Sequence, residues 1–302
     1  MLLDTASLYF RAFFGVPDTV RAPDGTPVNA VRGLLDFVSR LVGEYRPTHL
    51  ACCWDNDWRP QWRVDLLPTY KAHRVVAEVP GPAPDVEEVP DPLEVQVPVI
   101  RAVLEAFGIA VVGADGYEAD DVIGTLATDA GMPVDVVTGD RDLFQLVDDQ
   151  AQVRILYTAR GVGRHERVDN AWVREKYGID ARQYADFATL RGDASDGLPG
   201  VAGIGEKTAA TLLGRFGDLD GVIAAAADPE ADLGPSPRRR IKEAAEYLAV
   251  APRVVAVARD LPLGDPPLAM PAAPADPELV AALTEQFGLG GSVDRLVTTL
   301  GN

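Results

Sequence analysis

The stretch VDVVTGDRDLFQLV, residues 134–147, decides the fold. Val134 to Val137 reads as a buried strand, and the chain then delivers two carboxylates, Asp140 and Asp142, into a tight turn followed by a short helix. The same order occurs where Leu2-Leu3 precedes Asp4 and where Leu50 to Trp54 precedes Asp55. In an open α/β sheet, ligands bind at the carboxyl ends of the strands. Carboxylates gathered there repel one another and cannot all ionise in a confined site unless a cation neutralises them. Four segments of this kind are completed by Glu118, Asp120 and Asp121, and a fifth by Asp193 and Asp196. On a helix, positions i and i+3 share a face, so one helix end at 118–121 can serve two ions. An oxygen-only donor set suits Mg²⁺ or Mn²⁺. Two such ions about 4 Å apart can clamp the attacking water and the leaving oxygen of a phosphodiester.

Outward from this stretch, strands are expected at 1–4, 50–54, 109–112, 134–137 and 153–156. Helices are expected at about Ser7–Phe14, Asn29–Glu44, Val99–Phe107 and Glu118–Ala130, from apolar residues at helical spacing. Alternation of the two implies a mostly parallel sheet with helices on both faces. From about residue 168 the pattern becomes all helical. Two domains are therefore expected, an α/β domain over 1–167 and a helical one over 168–302. Residues 58–74 look helical but broken by Pro60 and Pro68, and 75–98 carries six prolines among acids. The whole of 58–98 is expected to be an arch or loop, and 75–98 an unpacked one.

The 302 residues carry a formal charge of −18, which argues at first sight against a nucleic-acid partner. The nine clustered carboxylates account for half of it, and six more acids lie in 75–100 without a single Lys or Arg. The remainder is close to neutral. Basic residues then stand out at Arg59, Arg63, Lys71 and Arg74, and again at Arg238, Arg239, Arg240 and Lys242. Hydrophobic residues make up 47% of the chain, no apolar run is long enough for a membrane span, and no secretion signal opens it. Cys52 and Cys53 are adjacent on a strand, point to opposite faces and do not pair, which suits a reducing cytosol. No histidine sits at zinc-finger spacing from a cysteine.

Residues 199–208 read PGVAGIGEKT. Gly203 and Gly205 allow a close approach of backbone to phosphate, free N–H groups at the helix start can bind it, and Lys207 adds a charge-assisted contact. Contacts of this kind hold a DNA backbone without reading its sequence.

With YEADDVIGTLA at 117–127, VTGDRDLFQLV at 137–147 and LRGDASDGLPGVAGIGEKTA at 190–209, the chain resembles the bacterial and phage 5′-nucleases, the flap endonuclease and 5′→3′ exonuclease family that also forms the N-terminal domain of bacterial DNA polymerase I. Supporting matches are Asp4 with Arg11, Asn29-Ala30, Trp62-Arg63, and Tyr70-Lys71 with Arg74. The resemblance reaches to about residue 290. It implies a PIN-like (resolvase-like) α/β core, a helical arch and a helix–three-turn–helix motif. It implies a structure-specific, stand-alone 5′-nuclease acting on DNA with 5′ flaps, nicks or free 5′ ends in replication and repair, located in the cytoplasm at the nucleoid. It places Asp4, Asp55, Glu118 and Asp120 toward a first Mg²⁺ or Mn²⁺, Asp121, Asp140 and Asp142 at or between the two sites, and Asp193 and Asp196 toward the second. It assigns Arg11, Lys71 and Arg74 to the scissile phosphate and threaded strand, and Arg63, Gly203, Gly205, Lys207 and Thr208 to DNA. A K⁺ ion would sit on backbone carbonyls near Val201 and Ile204. Trp58 and Trp62 are open to base stacking or to simple packing. The Arg238–Lys242 run is open to duplex contact or to an exposed helix face.

The chain departs from the family pattern at Thr5, where Gly is usual, at Trp54 for Phe and at Gly197 for Asn. It is also about a dozen residues longer between Arg74 and Glu118, within the acidic stretch, where acids facing a threaded strand would repel it. Alternative readings are a PIN-like ribonuclease, usually shorter and without the glycine hairpin, and a non-catalytic protein that binds branched DNA.

Overall fold

The structure, a computed structural model, describes residues 1–77, 79 and 85–301. Strands β1 (Leu2–Asp4), β2 (Ala51–Trp54), β5 (Ala110–Gly113), β6 (Val134–Thr138), β7 (Val153–Tyr157) and β8 (Glu166–Val168) form one sheet, in the order β5-β2-β1-β6-β7-β8. All neighbours are parallel except β7 and β8. β1 pairs with β2 on one side and β6 on the other, so the strand order reverses beside β1. That is where an α/β sheet opens a crevice at its carboxyl edge. Asp4 ends β1, Asp55 follows β2 and Asp140 follows β6, so three acids meet at this edge.

Alternate side chains along each strand feed separate cores. Leu3, Cys52, Val137 and Leu156 join helices α1 (Thr5–Gly15), α2 (Asn29–Tyr45) and α5 (Val97–Phe107) on one face. Leu2, Ala51, Cys53, Val136 and Ile155 join α6 (Ala119–Ala127) on the other. The two cysteines thus lie buried, free and on opposite faces.

The second core runs on without interruption into the helices that follow, α7 (Asn170–Tyr177), α8 (Tyr184–Arg191), α9 (Glu206–Phe216), α10 (Leu219–Ala227), α11 (Pro235–Glu243) and α12 (Ala245–Val255). Phe144 sits at this seam, ringed by Tyr157, Trp172, Tyr177 and Tyr184 at 5.0–6.3 Å. The last two helices, α13 (Pro277–Phe287) and α14 (Gly290–Leu300), leave the helical region. α14 packs on α2 and α13 on α5. Among the described residues no helix is long and apolar enough to cross a membrane.

Among the described residues of 58–98, ordered elements stand where an unpacked arch was expected. α3 (Gln61–Leu66) leads to a tight turn at 72–74, then to a two-stranded antiparallel ribbon of β3 (Val75–Ala77) and β4 (Val86–Glu87). The ribbon is strand, not helix, because Val75, Val76 and Val86 favour extended backbone, whereas the prolines around them lack the N–H that a helix interior needs. Glu78 and 80–84, which belong to the same acidic stretch, lie outside the described residues. Beyond the ribbon, α4 (Asp91–Glu94) buries Leu93, and Gln96 is wholly buried, its amide bonded to Asn29 and to the backbone of Ala30.

Leu296 is fully buried between α14 and α2. Leu296→Ala is expected to cost about 2–5 kcal/mol, read as a lowered midpoint of urea denaturation. A loss below about 1 kcal/mol would show that the last helix is a dispensable appendage.

Candidate active site

A cleft of about 380 Å³ opens at the carboxyl edge of the sheet. Its walls include Asp4, Asp55, Glu118, Asp120 and Asp140, together with Trp58, Lys71, Arg74 and Glu87. A narrower space behind it brings Glu118 and Asp120 beside Asp142 and Asp196, with Tyr70 and Arg63. Asp193 lies close enough to act on the charge of Asp142. Eight of the nine expected acids therefore converge from five segments of the chain. Among the described residues, however, no three His, Cys, Asp or Glu side chains are already drawn into a closed cage. Most of the carboxylates instead lean on a nearby donor. Asp4 accepts from Thr138 Oγ1 at 2.6 Å and from the Ser7 amide, Asp55 from the Ala119 amide at 2.8 Å, and Asp140 from the Asp142 amide at 2.9 Å. Asp193 takes the Ser195 amide and Arg191, both at 2.9 Å. Asp142 Oδ1 is buried with no hydrogen-bond partner.

Burial raises the pKa values of this group. It pushes Asp4 up to about 7, against the Thr138 bond, with the charge of Asp55 adding to the rise. Asp55 is pushed to about 6 by burial, less the Ala119 bond, with Glu118 adding to the rise. Asp120 and Asp142 go well above the carboxylate range, through burial first and then through Asp140.

The ninth acid, Asp121, stands apart. It is fully buried and faces Arg63, whose two terminal nitrogens reach its two oxygens at 2.7 and 2.8 Å. It also accepts from the Glu118 and Ala258 amides. Arg63, expected on DNA, is turned inward with 2% of its surface exposed. It binds Glu118 at 2.7 Å and the carbonyl of Val254 as well. A phosphate cannot reach it, because a buried guanidinium already holding two carboxylates has no free donor edge.

Lys71 and Arg74 do line the cleft. Lys71 pairs with Glu118, and Arg74 reaches the Ser195 carbonyl at 2.7 Å and Asp196 at 3.3 Å. Gly197 makes this packing possible. It adopts φ 71°, and an added Cβ would come within 2.0 Å of the Thr69 carbonyl oxygen. The side chain that the family pattern puts there would drive the Lys71 segment off the Asp193–Asp196 turn, where the Lys71 amide now meets the Asp196 carbonyl at 2.9 Å.

Arg11 lies in a neighbouring groove of about 890 Å³, with Arg40, Arg160, Arg164, Phe10 and a Phe14 that is 74% exposed. The groove joins the cleft through Ser7 and Phe10. At the glycine hairpin, Gly203, Gly205 and Lys207 are exposed, Thr208 is half-buried, and the side chains of Val201 and Ile204 are buried beneath. Gly205 begins α9 without a side-chain cap, which leaves the first amides of that helix facing outward. Trp58 stands in the cleft wall, whereas Trp62 packs under Arg63 and against Tyr117. The Arg238–Lys242 run is largely structural. Arg238 binds the carbonyls of Ala225 and Ala231, and Arg240 that of Gly203. Sequence reasoning quoted Tyr70 without giving it a role, and its hydroxyl donates to Glu118 at 2.6 Å; it singled out no role for Glu87, an acid of the ribbon that enters the cleft.

Residues 1–178 match the family model of the 5′-3′ exonuclease N-terminal resolvase-like domain, and residues 179–278 match that of the 5′-3′ exonuclease C-terminal SAM fold. This chain belongs to the 5′-3′ exonuclease family. It is 65% identical to a 5′-3′ exonuclease of Streptomyces coelicolor, over 99% of each chain. It is 52% identical to one of Mycobacterium tuberculosis, over 99% of this chain and 97% of the other. Among solved structures it is similar to the bacteriophage T5 flap endonuclease in a pseudo-enzyme-product complex with DNA and metal ions, at TM-score 0.65 and 16% identity, covering 99% of this chain and 97% of that one. At that identity the likeness carries the fold. The protein is accordingly a nuclease with a resolvase-like sheet and a helical C-terminal region.

Two measurements test the electrostatics. Asp4 and Asp55 bind protons in the folded chain at pH values where the unfolded chain has released them. Their contribution is therefore fully favourable below the unfolded value near 4 and is lost as pH rises through about 6 to 7. In EDTA, Asp4→Asn is expected to raise the Tm relative to the parent at pH 8 and to do so much less at pH 5; equal gains at both would remove the burial argument. Arg63→Met leaves Glu118 and Asp121 without their buried counter-ion and is expected to destabilise the fold by about 3–5 kcal/mol in urea. If Arg63 instead served as a DNA contact, that variant would keep its stability and weaken DNA binding.

Proposed function

We propose that this protein hydrolyses DNA phosphodiesters at and near 5′ ends, as a 5′→3′ exonuclease and 5′-flap endonuclease of replication and repair, with two Mg²⁺ or Mn²⁺ ions. The observation that carries this reading is the meeting of eight carboxylates from five segments at the carboxyl edge of the sheet. The donor set fits such ions. It is all oxygen, its burial makes ionisation costly without a cation, and Asp142 Oδ1 is a buried acceptor with nothing to accept from. Asp4, Asp55, Asp120 and Asp140 would bind from the cleft, Asp142, Asp193 and Asp196 from the space behind, and Glu118 from between them. When bound, the ions would supply an activated water and charge neutralisation at the leaving oxygen.

The rest of the chemistry belongs to the chain. Lys71 and Arg74 at the cleft wall would hold the non-bridging oxygens of the scissile phosphate and stabilise the charge that builds there. Arg63 and Tyr70 fix Glu118 so that its carboxylate keeps one orientation. The arginine-lined groove beside the cleft, with Arg11, would hold duplex phosphates, and the exposed Phe14 would meet the last base pair. The α9 amides, with Gly203, Gly205, Lys207 and Thr208, would hold the DNA backbone some distance from the cut, with K⁺ on the Val201 and Ile204 carbonyls. The domains would divide the work near residue 167, the sheet cutting and the helices gripping. Two reduced, buried cysteines suit action in the cytoplasm, at the nucleoid.

The test is a product map on labelled flap, nicked and blunt DNA with Mg²⁺ and with Mn²⁺. Cleavage at or next to the junction is expected, and EDTA should abolish it. Asp120→Asn or Asp142→Asn is expected to lower kcat by roughly a thousandfold while flap binding stays measurable. Full turnover in either variant would refute the metal assignment, and a preference for single-stranded RNA would point to a ribonuclease.

A further inference from the structure

The ribbon contributes a carboxylate that the proposed chemistry does not use. Glu87 lines the cleft beside Asp55, Glu118, Lys71 and Arg74. Its place is fixed at several points. It faces Val75 across the ribbon, and the Glu88 amide bonds the Arg74 carbonyl at 2.8 Å. One residue before the strand, Asp85 is clamped by Arg59 at 2.5 Å, and the Trp58 indole donates to the Asp85 carbonyl at 2.7 Å. Arg59 is itself buried and also holds the Tyr70 carbonyl at 2.7 Å. Successive residues of a strand face opposite ways, and here Val86 and Glu88 are exposed while Glu87 turns inward.

The cations nearest to Glu87 are already engaged, Lys71 with Glu118 and Arg74 with Asp196. Among the described residues no ion pair or hydrogen bond takes up the Glu87 carboxylate. Arg74 and Lys71 act on its charge only across space, and the carboxylate is left to face whatever enters from the ribbon side. A duplex end or nick places its 5′ terminus at the ions and sends no phosphate further. On the nuclease reading, a long 5′ flap that leaves the cleft on the ribbon side would carry its phosphates past Glu87.

We propose that Glu87 is a specificity-determining residue, which penalises a single strand passing the ribbon and so favours 5′ ends that stop at the cleft over long 5′ flaps. The proposal rests on the nuclease reading above and adds to it the choice between two kinds of end.

The test compares the full-length parent with Glu87→Gln and Glu88→Gln on a nicked duplex and on the same duplex carrying a long 5′ flap. Glu87→Gln is expected to raise the ratio of kcat/KM for the flap to kcat/KM for the nick by roughly threefold to tenfold, through the KM for the flap. Equilibrium binding in EDTA should tighten for the flap alone. Glu88→Gln, which changes the same charge on the outward side of the ribbon, is expected to leave the ratio unchanged. Equal effects of Glu87→Gln on both substrates, no effect, or the same shift from Glu88→Gln would overturn the proposal. If the parent cuts neither DNA, the nuclease reading fails, and the binding arm still decides the role of Glu87.

Discussion

One buried guanidinium holds the working parts of this molecule in place. Arg63 grips Asp121 with both terminal nitrogens and Glu118 with one, while its Nε meets the Val254 carbonyl. Those partners come from the start of α6 and the end of α12, and Arg63 itself rides on α3. A charge taken out of water is tolerated only when paired and fully hydrogen-bonded, so the three elements cannot drift apart without exposing a large cost. The acids that bind no cation of the chain then have a rigid floor beneath them. Asp121 is best understood as part of that floor. Its place next to Asp120 in sequence turns it about 100° round the helix from that residue, with its oxygens spent on Arg63 and two backbone amides.

This arrangement divides the acids into two kinds with opposite physics. Glu118 and Asp121 are matched by positive charge within the protein. Asp4, Asp55, Asp120 and Asp142 are not matched and are raised in pKa by burial and by one another. The first kind stabilises the fold, and the second is a cost that the fold carries for the sake of its chemistry. Glu118 belongs to both, since it touches Arg63, Tyr70 and Lys71 while facing the cleft. It links α3 and the Lys71 segment to the cleft.

Five of the six strands of the sheet and the convergence of the acids were readable from residues because each depends on short-range pattern, whereas β8, only three residues long, was not. Buried β strands of Val and Leu end at an Asp, and helices repeat every three or four residues. Arg63 was misread because lysine and arginine side chains look alike in sequence whether they reach for solvent or for a buried carboxylate. What decides is the neighbour, and Val254 and Glu118 are far away along the chain. The same holds for Arg238, which satisfies loop carbonyls rather than meeting solvent. The ribbon escaped notice because strands of two or three residues carry almost no periodicity, and proline dominates the composition around them. The family pattern suggested a helix at that place. Gly197 was noted as a departure, yet its reason, the approach of the Thr69 carbonyl, is visible only when both segments are packed.

The return of α14 to α2 bears on how the chain acquires its shape during synthesis. Residues 29–45 carry a strongly apolar stripe, and residues 290–300 that cover it leave the ribosome long after them. The middle strand β1 likewise waits for β6 before its second edge is paired. Contacts so distant along the chain are slow to form, and the surface left bare in the interval is sticky. The growing polypeptide therefore passes through a long stage in which chaperones have a binding site on α2, and mutations that loosen the final helix should show first as poor yield in the cell rather than as a defect in the purified enzyme.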